Sequence, residues 1–472
     1  MLFNSLSFLV FFPIVCILYF AIQQVKYRNT FLLIASYYFY ACWKAECLLI
    51  ILFETIVAYF AALYMEKDKE NKHSKTILIV SLVLTFSILF VFKYLHFAAS
   101  VVNTCLDLLH IRMSIPDFYL LLPVGISFFT FQIVGYVIDV YNRKLQAEHN
   151  FITFALFIAF FPQLVAGPIE RARNLLPQFN TLHPFDPTLA YSGLQDMIWG
   201  YFMKLCIAER IAPYVNAVYQ YYQYHNGTSL LLGTLFFSFQ IYCDFCGYSL
   251  IAIGVAKILG YKLMMNFERP YFASSLKLFW RRWHISLSTW FMDYVYIPLG
   301  GNRCSKMRHY TNLVVTFLLS GIWHGANWTF IFWGMLHGVG LCLESKYRKP
   351  APIDSRKPIV KTLFSIAFTF LLVAFSWIFF RANSIHAAFE IIAKIFTQPG
   401  HLYNGDGYPN QFLGIFCIGI LMLKELKDEL HLNLHFIHNK NLVISAISFS
   451  SLICFILLTA VFSSNEFIYF QF

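Results

Sequence analysis

A histidine stands in the segment SGIWHGANWTFIFWGMLHG, which is otherwise apolar and punctuated by glycine. A polar group within such a segment is costly, so this residue, His324, is a functional candidate. An imidazole can take the proton of a hydroxyl group while that oxygen attacks an acyl thioester. The alternative is a packed imidazole that hydrogen-bonds a neighbouring helix. Composition by itself leaves both readings open.

A second histidine, His337, follows His324 by thirteen residues. In one continuous helix that spacing rotates the side chain by about 220°, onto roughly the opposite face. The two histidines are therefore not expected to form one site within a single helix. For His337 the spacing favours the structural reading, an interhelical hydrogen bond.

His284 lies in FWRRWHISLSTWFMDYVYIP, a stretch that is both aromatic and basic. Ser288 follows one turn later, and the two could act as base and nucleophile, although their spacing does not decide this. The apolar positions favour one helix near the interface or along a cavity. They fall at i, i+4, i+7 and i+11: Trp283, Leu287, Trp290 and Tyr294.

Asp244 stands inside the apolar run QIYCDFCGYSLIAIG. A buried carboxylate there needs a partner, and the sequence predicts an Arg or His from another helix. Cys243 and Cys246 form C-x-x-C in the same run, but no second pair accompanies them.

A metal site is not predicted anywhere in the chain. Three histidines near the end have spacings that one helical face could use for a metal, but their alternation with leucine favours an interfacial segment. They are His431, His435 and His438.

The elements that position these residues are apolar segments recurring along the chain. Only 12% of the 472 residues are charged and 59% are hydrophobic, whereas about a quarter of a soluble domain is charged. The net charge of +11 is spread over short loops, which indicates lipid headgroups and topology rather than nucleic acid. The sequence predicts an all-α polytopic membrane protein, one domain over residues 1–472, with roughly ten to twelve transmembrane or re-entrant helices. The first apolar run is expected to be a retained spanning helix.

Several apolar segments are interrupted by proline or glycine. Pro123 and Gly125 interrupt LLPVGISFF, and Pro162, Gly167 and Pro168 interrupt FFPQLVAGPIE. Non-helical backbone at membrane depth is tolerated only where protein or a water-filled cavity satisfies it. These breaks indicate re-entrant elements around an internal chamber, with an interfacial loop as the alternative for the second.

Two long motifs in order, FWRRWHISLSTWFMDYVYIPLGGNR and SGIWHGANWTFIFWGMLHG, resemble the membrane-bound O-acyltransferase (MBOAT) superfamily. The likeness is strongest to its bacterial alginate O-acetylation branch. Further stretches agree with that branch: MLFNSLSFLVFFPIV, PVGISFFTFQ, FFPQLVAGPIE, QIYCDFCGYS, FSWIFFRA and FIYFQF. Two positions depart from it, because Cys246 replaces a usual serine and Leu250 a common acidic residue.

The resemblance implies helices around a central funnel, with His324 as catalytic histidine and His284 lining the same passage. Asn302 and Arg303 would lie near the funnel floor. Three further candidates have no assigned chemical role: Arg281, Arg282 and Asp244.

The same resemblance implies an O-acyltransferase in the bacterial cytoplasmic membrane that binds no cofactor. The donor would be acetyl coenzyme A or another cytoplasmic acyl thioester, with His324 as general base or acyl relay. A separate, extracytoplasmic SGNH-type transferase would complete O-acetylation of a polysaccharide. Two alternatives are a D-alanyl transferase for teichoic acid and, from another class, a transporter or export channel. The absence of matching half-sequences counts against the transporter.

Overall fold

The computed structural model describes residues 1–68, 70, 72–116, 118, 120–165, 167–347, 359–405, 407–432 and 441–462. Within these ranges the chain is helical and contains no β-strand. Helices satisfy their own backbone hydrogen bonds, which a lipid environment requires. The predicted positions His435 and His438 and the terminal motif FIYFQF lie outside the described residues.

The chain forms two compact units, Met1–Leu194 with Ile251–Met264, and Gln195–Leu250 with the residues from Met265 onward. The prediction of one continuous domain over residues 1–472 stays a prediction.

In chain order, the helices are α1 (Leu6–Ala21), α2 (Val25–Ala41), α3 (Leu48–Lys67), α4 (Ser74–Leu89), α5 (Leu95–Leu108), α6 (Ile126–Tyr141), α7 (Phe151–Ala159), α8 (Phe161–Leu164), α9 (Ala172–Phe179), α10 (Pro187–Tyr201), α11 (Glu209–Gln220), α12 (Gly227–Ile258), α13 (Leu276–Arg282), α14 (Ile285–Phe291), α15 (Lys306–His324), α16 (Trp328–Tyr347), α17 (Ile359–Arg381), α18 (Ile385–Thr397), α19 (Tyr408–Glu429) and α20 (Leu442–Thr459).

In the part of the chain that the structure describes, short helical segments of other pitch join some of these helices. Three are 3₁₀ turns: Ala45–Cys47, Tyr222–Tyr224 and Pro270–Phe272. Three are π-helical: Phe90–Tyr94, Phe202–Ala208 and Met292–Tyr296. Single π turns occur often at functional positions, because the wider turn re-aims a side chain.

Within the described residues, five helical stretches are long and apolar enough to cross a membrane. They are Ala45–Lys67, Ser74–Leu108, Gly227–Ile258, Ile359–Arg381 and Pro409–Glu429. The apolar window of Ser74–Leu108 is only 17% buried inside the protein, whereas that of Gly227–Ile258 is 89% buried. The first therefore leaves most of its apolar surface exposed, as a lipid-facing helix would, whereas the second is almost entirely buried. The predicted all-α polytopic membrane class is confirmed, while the number of spans stays a prediction.

The breaks predicted from proline and glycine lie between helices. Gly125 has φ +76° and precedes the first residue of α6, and the chain leaves helical geometry at Phe160, between α7 and α8. Of the two longest apolar segments, Leu230–Ile258 forms part of one helix, α12. The other, Leu313–Leu343, contains the last part of α15 and the first part of α16.

Two glycines let α15 and α16 approach closely. A Cβ atom added at Gly321 would lie 2.3 Å from the Phe330 carbonyl oxygen, and one at Gly334 would lie 2.3 Å from the Phe317 carbonyl oxygen. Both distances are to backbone atoms, so a larger residue could be accommodated only by separating the helices. The glycines therefore fix the distance between the helix that ends at His324 and its neighbour.

The Gly334→Ala variant tests this close approach. We expect its free energy of unfolding to fall by about 1–3 kcal/mol, the usual cost of overpacking, measured as a lower thermal midpoint in detergent. Gly419→Ala in α19 is the control, because no described atom lies within 4 Å of its added Cβ. Alanine is the better helix former, so the control should be neutral or slightly stabilised. Equal thermal midpoints for the two variants would contradict the close approach of α15 and α16.

Candidate active site

His324 is the last residue of α15, not a position inside a long helix. Gly325 follows in extended geometry, with φ −165° and ψ 154°. The Asn327 side chain then accepts a hydrogen bond from the Thr329 amide at 3.1 Å, at the start of α16. The expectation of one continuous helix through His324 and His337 is wrong, because the Gly-Ala-Asn segment reverses the chain. The 220° rotation consequently does not describe their relation.

The His324 side chain is 3% exposed and contacts three aromatic rings. Ring centroids lie 5.0 Å from Trp323, 5.1 Å from Trp333 and 5.2 Å from Phe380. All three contacts are edge-to-face, an arrangement favoured by the charge distribution of aromatic rings. The imidazole is thus held in a fixed orientation inside an aromatic cluster, as a positioned proton acceptor requires.

His284 occupies a corner between two short helices. α13 ends at Arg282 and α14 begins at Ile285, while His284 has the left-handed values φ 41° and ψ 56°. The predicted aromatic stripe on one continuous helix is therefore wrong, since Trp283 precedes the corner and Leu287 follows it. A non-glycine residue in this region is strained and persists only when its surroundings fix it.

Asn266 fixes the corner at His284. The Asn266 carbonyl accepts from the Ile285 amide at 2.9 Å, and its side-chain oxygen accepts from the Ser286 hydroxyl at 2.6 Å. The Asn266 amide group donates to the Ser249 hydroxyl of α12 at 3.1 Å. His284 itself is fully buried. The backbone strain is therefore balanced by a buried hydrogen-bond network.

One tryptophan connects the two candidate histidines. The Trp323 ring lies 5.9 Å from His284 and 5.0 Å from His324, measured between ring centroids. Phe245 covers His284 from α12 at 4.6 Å. Residues forty positions apart in the chain thus share one aromatic cluster. Ser288 takes no part in a pair with His284, because its hydroxyl donates to the Trp283 carbonyl at 3.1 Å.

His337 forms hydrogen bonds with two other helices, although the spacing argument from a continuous helix does not apply to it. Its Nδ1 accepts from the Trp280 indole N–H at 3.3 Å, and its Nε2 lies 2.9 Å from the Ser376 hydroxyl. That hydroxyl donates to the Val373 carbonyl at 2.7 Å, so it accepts from His337. A neutral imidazole with the proton on Nε2 satisfies every bond. His337 therefore ties α13, α16 and α17 together.

The two neighbouring arginines, Arg281 and Arg282, differ in their surroundings. Arg282 binds Glu429 with both terminal nitrogens, at 2.8 and 3.2 Å, and Arg269 Nε donates to the same carboxylate at 2.8 Å. This bidentate pair holds the end of α19 beside the His284 corner. Arg281 is exposed. The structure thus gives Arg282 a positioning role and does not bring Arg281 into contact with either histidine.

Asp244 pairs with a lysine, whereas the sequence predicted an Arg or His. Lys204 Nζ lies 2.5 Å from Asp244 and 3.1 Å from Glu209, and all three side chains are buried. Lys204 belongs to the π-helical segment Phe202–Ala208, whose wider turn directs it toward α12. The signal was present in the sequence as a lone lysine in the apolar run YFMKLCIA. The sequence prediction named only Arg or His from another helix as the partner, so it did not include this lysine.

Asn302 and Arg303 lie in an exposed turn. Gly300 and Gly301 have φ values of 109° and 56°, and the Asn312 side chain donates to the Gly301 carbonyl at 3.1 Å. Neither candidate side chain makes a hydrogen bond or ion pair with another residue that the structure describes. Their predicted place near a funnel floor stays a prediction. In contrast, Trp323 and Trp333 were not singled out from the sequence, although both lie in the segment that carries His324.

Comparison with known proteins gives this site a family context. Residues 139–380, just over half of the chain, match the model of the membrane-bound O-acyltransferase family, MBOAT. The matched range contains both candidate histidines. The resemblance seen in the sequence is thereby confirmed.

Three relatives illustrate the range of similarity. "Probable alginate O-acetylase AlgI" of Azotobacter vinelandii is 38% identical over 400 residues, which cover 84% of this chain and 78% of that protein. "Peptidoglycan O-acetyltransferase" of Helicobacter pylori is 34% identical over 430 residues, covering 83% and 79%. "Teichoic acid D-alanyltransferase" of Streptococcus thermophilus is 27% identical over 326 residues, covering 62% and 77%. With its apolar helices, its buried histidine cluster and these relatives, the chain belongs to the membrane-bound O-acyltransferase family and is a multi-pass membrane enzyme that transfers acyl groups.

Proposed function

We propose that this protein transfers an acetyl group from a cytoplasmic thioester donor for the O-acetylation of an extracytoplasmic polysaccharide. The observation that carries the proposal is the buried imidazole of His324, which shares an aromatic cluster with His284 inside the family-matched range. The names of the AlgI and Helicobacter relatives both describe O-acetyl transfer, which supports acetyl as the transferred group.

The proposed reaction needs one group that both accepts and returns a proton. His324 accepts the proton of the acceptor hydroxyl as that oxygen forms a bond to the thioester carbonyl carbon. The carbonyl electron pair moves to its oxygen, which gives a tetrahedral oxyanion. The carbon–sulfur bond then breaks, and the leaving thiolate receives the proton from the imidazolium. In the acyl-relay alternative, the histidine nitrogen carries the acyl group between donor and acceptor.

His284 lines the same site in this proposal but does not itself bind the acyl carbon. Its left-handed backbone places the imidazole inside the protein beside Trp323 and Phe245. The buried Asn266 network holds that geometry. His284 therefore orients the aromatic wall around His324 and contributes a second polar group to the passage.

A separate acceptor protein completes the proposed pathway. Polysaccharide chains are large, whereas His324 is enclosed by aromatic rings. An SGNH-type extracytoplasmic transferase would take the acetyl group on its own hydroxyl and pass it to the polymer. The likeness to AlgI, a probable alginate O-acetylase, supports a surface glycan as the final acceptor.

D-Alanyl transfer is the second candidate function, favoured by the similarity to the Streptococcus thermophilus relative. That similarity is lower and covers less of the chain than the similarity to the O-acetyl transferases. The transporter reading is not retained, because the family is one of acyltransferases.

A donor assay tests the proposal directly. Purified protein in lipid vesicles is supplied with radiolabelled acetyl coenzyme A or with radiolabelled D-alanine on its carrier protein, together with a hydroxyl acceptor. We expect transfer of acetyl label and free thiol release in equal amounts, with no transfer of D-alanine. Labelling from the D-alanyl carrier alone would replace the proposal by the second candidate. Transfer from neither donor, with folded protein and acceptor present, would overturn it.

A further inference from the structure

Trp333 is a buried indole whose N–H has no hydrogen-bond acceptor among the residues that the structure describes. Its side chain is 0% exposed, and its Nε1 makes no hydrogen bond. Nearly all buried N–H groups in folded proteins are paired, and an unpaired one costs about 1–3 kcal/mol. A donor kept in this condition needs an explanation.

The nearest imidazole on the same helix cannot accept this hydrogen bond. His337 lies 4.9 Å from Trp333 between ring centroids, but its Nδ1 already accepts from Trp280. Its Nε2 carries the proton that the Ser376 hydroxyl accepts. Trp280 and Trp333 thus both contact His337, but of these two indoles only that of Trp280 donates its N–H to the histidine.

The Trp333 ring is held rigidly against His324. The two ring centroids lie 5.1 Å apart at an interplanar angle of 88°. On its other sides, Trp333 stacks on Trp377 at 5.7 Å and contacts Phe380 at 5.3 Å. A donor fixed by packing on several sides loses little freedom when it binds a ligand, which is the condition for a preorganised electrostatic contact.

We infer that the Trp333 indole N–H donates a hydrogen bond to the oxyanion that forms on the thioester carbonyl. The inference rests on the proposed function, because it concerns the intermediate formed when His324 accepts the hydroxyl proton. In that step one carbon–oxygen bond forms and the carbonyl pair moves to oxygen. The negative charge develops beside the base, and the Trp333 indole that packs against this base has an N–H without an acceptor among the described residues. Because this N–H has no acceptor in the free enzyme, no existing hydrogen bond has to be broken when it donates to the oxyanion.

The test replaces the N–H and keeps the ring. Trp333→3-benzothienylalanine, introduced at one codon, substitutes sulfur for the N–H in a ring of nearly the same shape, and Trp333→Phe is a genetically simpler second variant. We expect kcat for acetyl transfer to fall roughly a hundred-fold, as for loss of one oxyanion donor. KM for the donor should be unchanged, because the contact forms only in the transition state. Thermal stability of the benzothienyl variant should not fall, since no hydrogen bond is lost.

Two neighbouring tryptophans provide matched controls. Trp280→Phe removes the N–H that His337 accepts, so it should lower the thermal midpoint and leave kcat near that of the unmodified protein. Trp377→Phe removes another buried N–H that has no acceptor among the described residues, in a ring that packs on Trp333 and Phe380. It should leave kcat nearly unchanged.

The outcomes separate this inference from the proposed function. If His324→Gln is inactive but the benzothienyl variant keeps full kcat, the oxyanion role of Trp333 is wrong and the proposed function stands. An equal loss of kcat in Trp377→Phe would also overturn the role, because general packing would then explain both. If His324→Gln retains acetyl transfer, the proposed function itself fails.

Discussion

Replacing His324 by glutamine is expected to lower acyl transfer roughly 10²–10⁴-fold while the protein remains folded, the range for losing a general base. The glutamine side chain can fill the space between Trp323, Trp333 and Phe380, but it cannot accept and return a proton. The measurement is the rate of acetyl transfer per folded molecule in vesicles. If His324 acts as an acyl relay, the same variant should also lose any labelled acyl-protein intermediate.

His337→Gln is the matched control for that experiment. The two histidines are buried and both contact Trp333. The ring nitrogens of His337 bond Trp280 and Ser376. Its substitution should lower the thermal midpoint, because Trp280 and Ser376 lose their partner, and should preserve most of the activity per folded molecule. The opposite pattern, an active His324→Gln and an inactive His337→Gln, would exchange the roles assigned to the two histidines.

The second large effect is expected from Lys204→Met. This change leaves Asp244 and Glu209 buried without the cation that lies 2.5 and 3.1 Å from them. Breaking a buried ion pair by removing one partner typically costs about 3–5 kcal/mol. We therefore expect a severe loss of monodisperse protein in detergent, measured by size-exclusion chromatography of a fluorescent fusion.

Two comparisons show whether charge is responsible for this loss. The triple variant Lys204→Met, Asp244→Asn and Glu209→Gln removes all three charges, so much of the folded protein should return. Lys306→Met changes an exposed lysine and should leave the yield unaltered, since surface changes have small effects. A yield of the single variant equal to that of the Lys306 control would show that the buried cluster is unimportant for stability.

Much of the fold could be predicted because the membrane restricts what a chain can do. Apolar segments of spanning length predict helices, since only helices satisfy the backbone in lipid without partners. The helix breaks near Pro123 and Pro162 depend on the local backbone, so their positions could be predicted from the sequence.

The site could be predicted only in part, because helix ends and side-chain partners depend on distant residues. The sequence singled out His324 and His284 but placed each within a continuous helix. In the structure each lies at a helix boundary, His324 before Gly325 and His284 in a strained corner held by Asn266. Periodicity counts residues along one helix and therefore cannot show where a distant carbonyl or amide ends it.

The sequence by itself determined the class of the protein, the apolar helices and the two histidines, because composition and local backbone preferences act within a few residues. Only the tertiary structure decided that Trp280 and Ser376 bind His337 from other helices, and that His324 packs against Trp323, Trp333 and Phe380. It likewise decided that Lys204 pairs with Asp244 across forty residues of chain. Such contacts are set by packing between helices, where glycines such as Gly321 and Gly334 determine how closely two backbones approach.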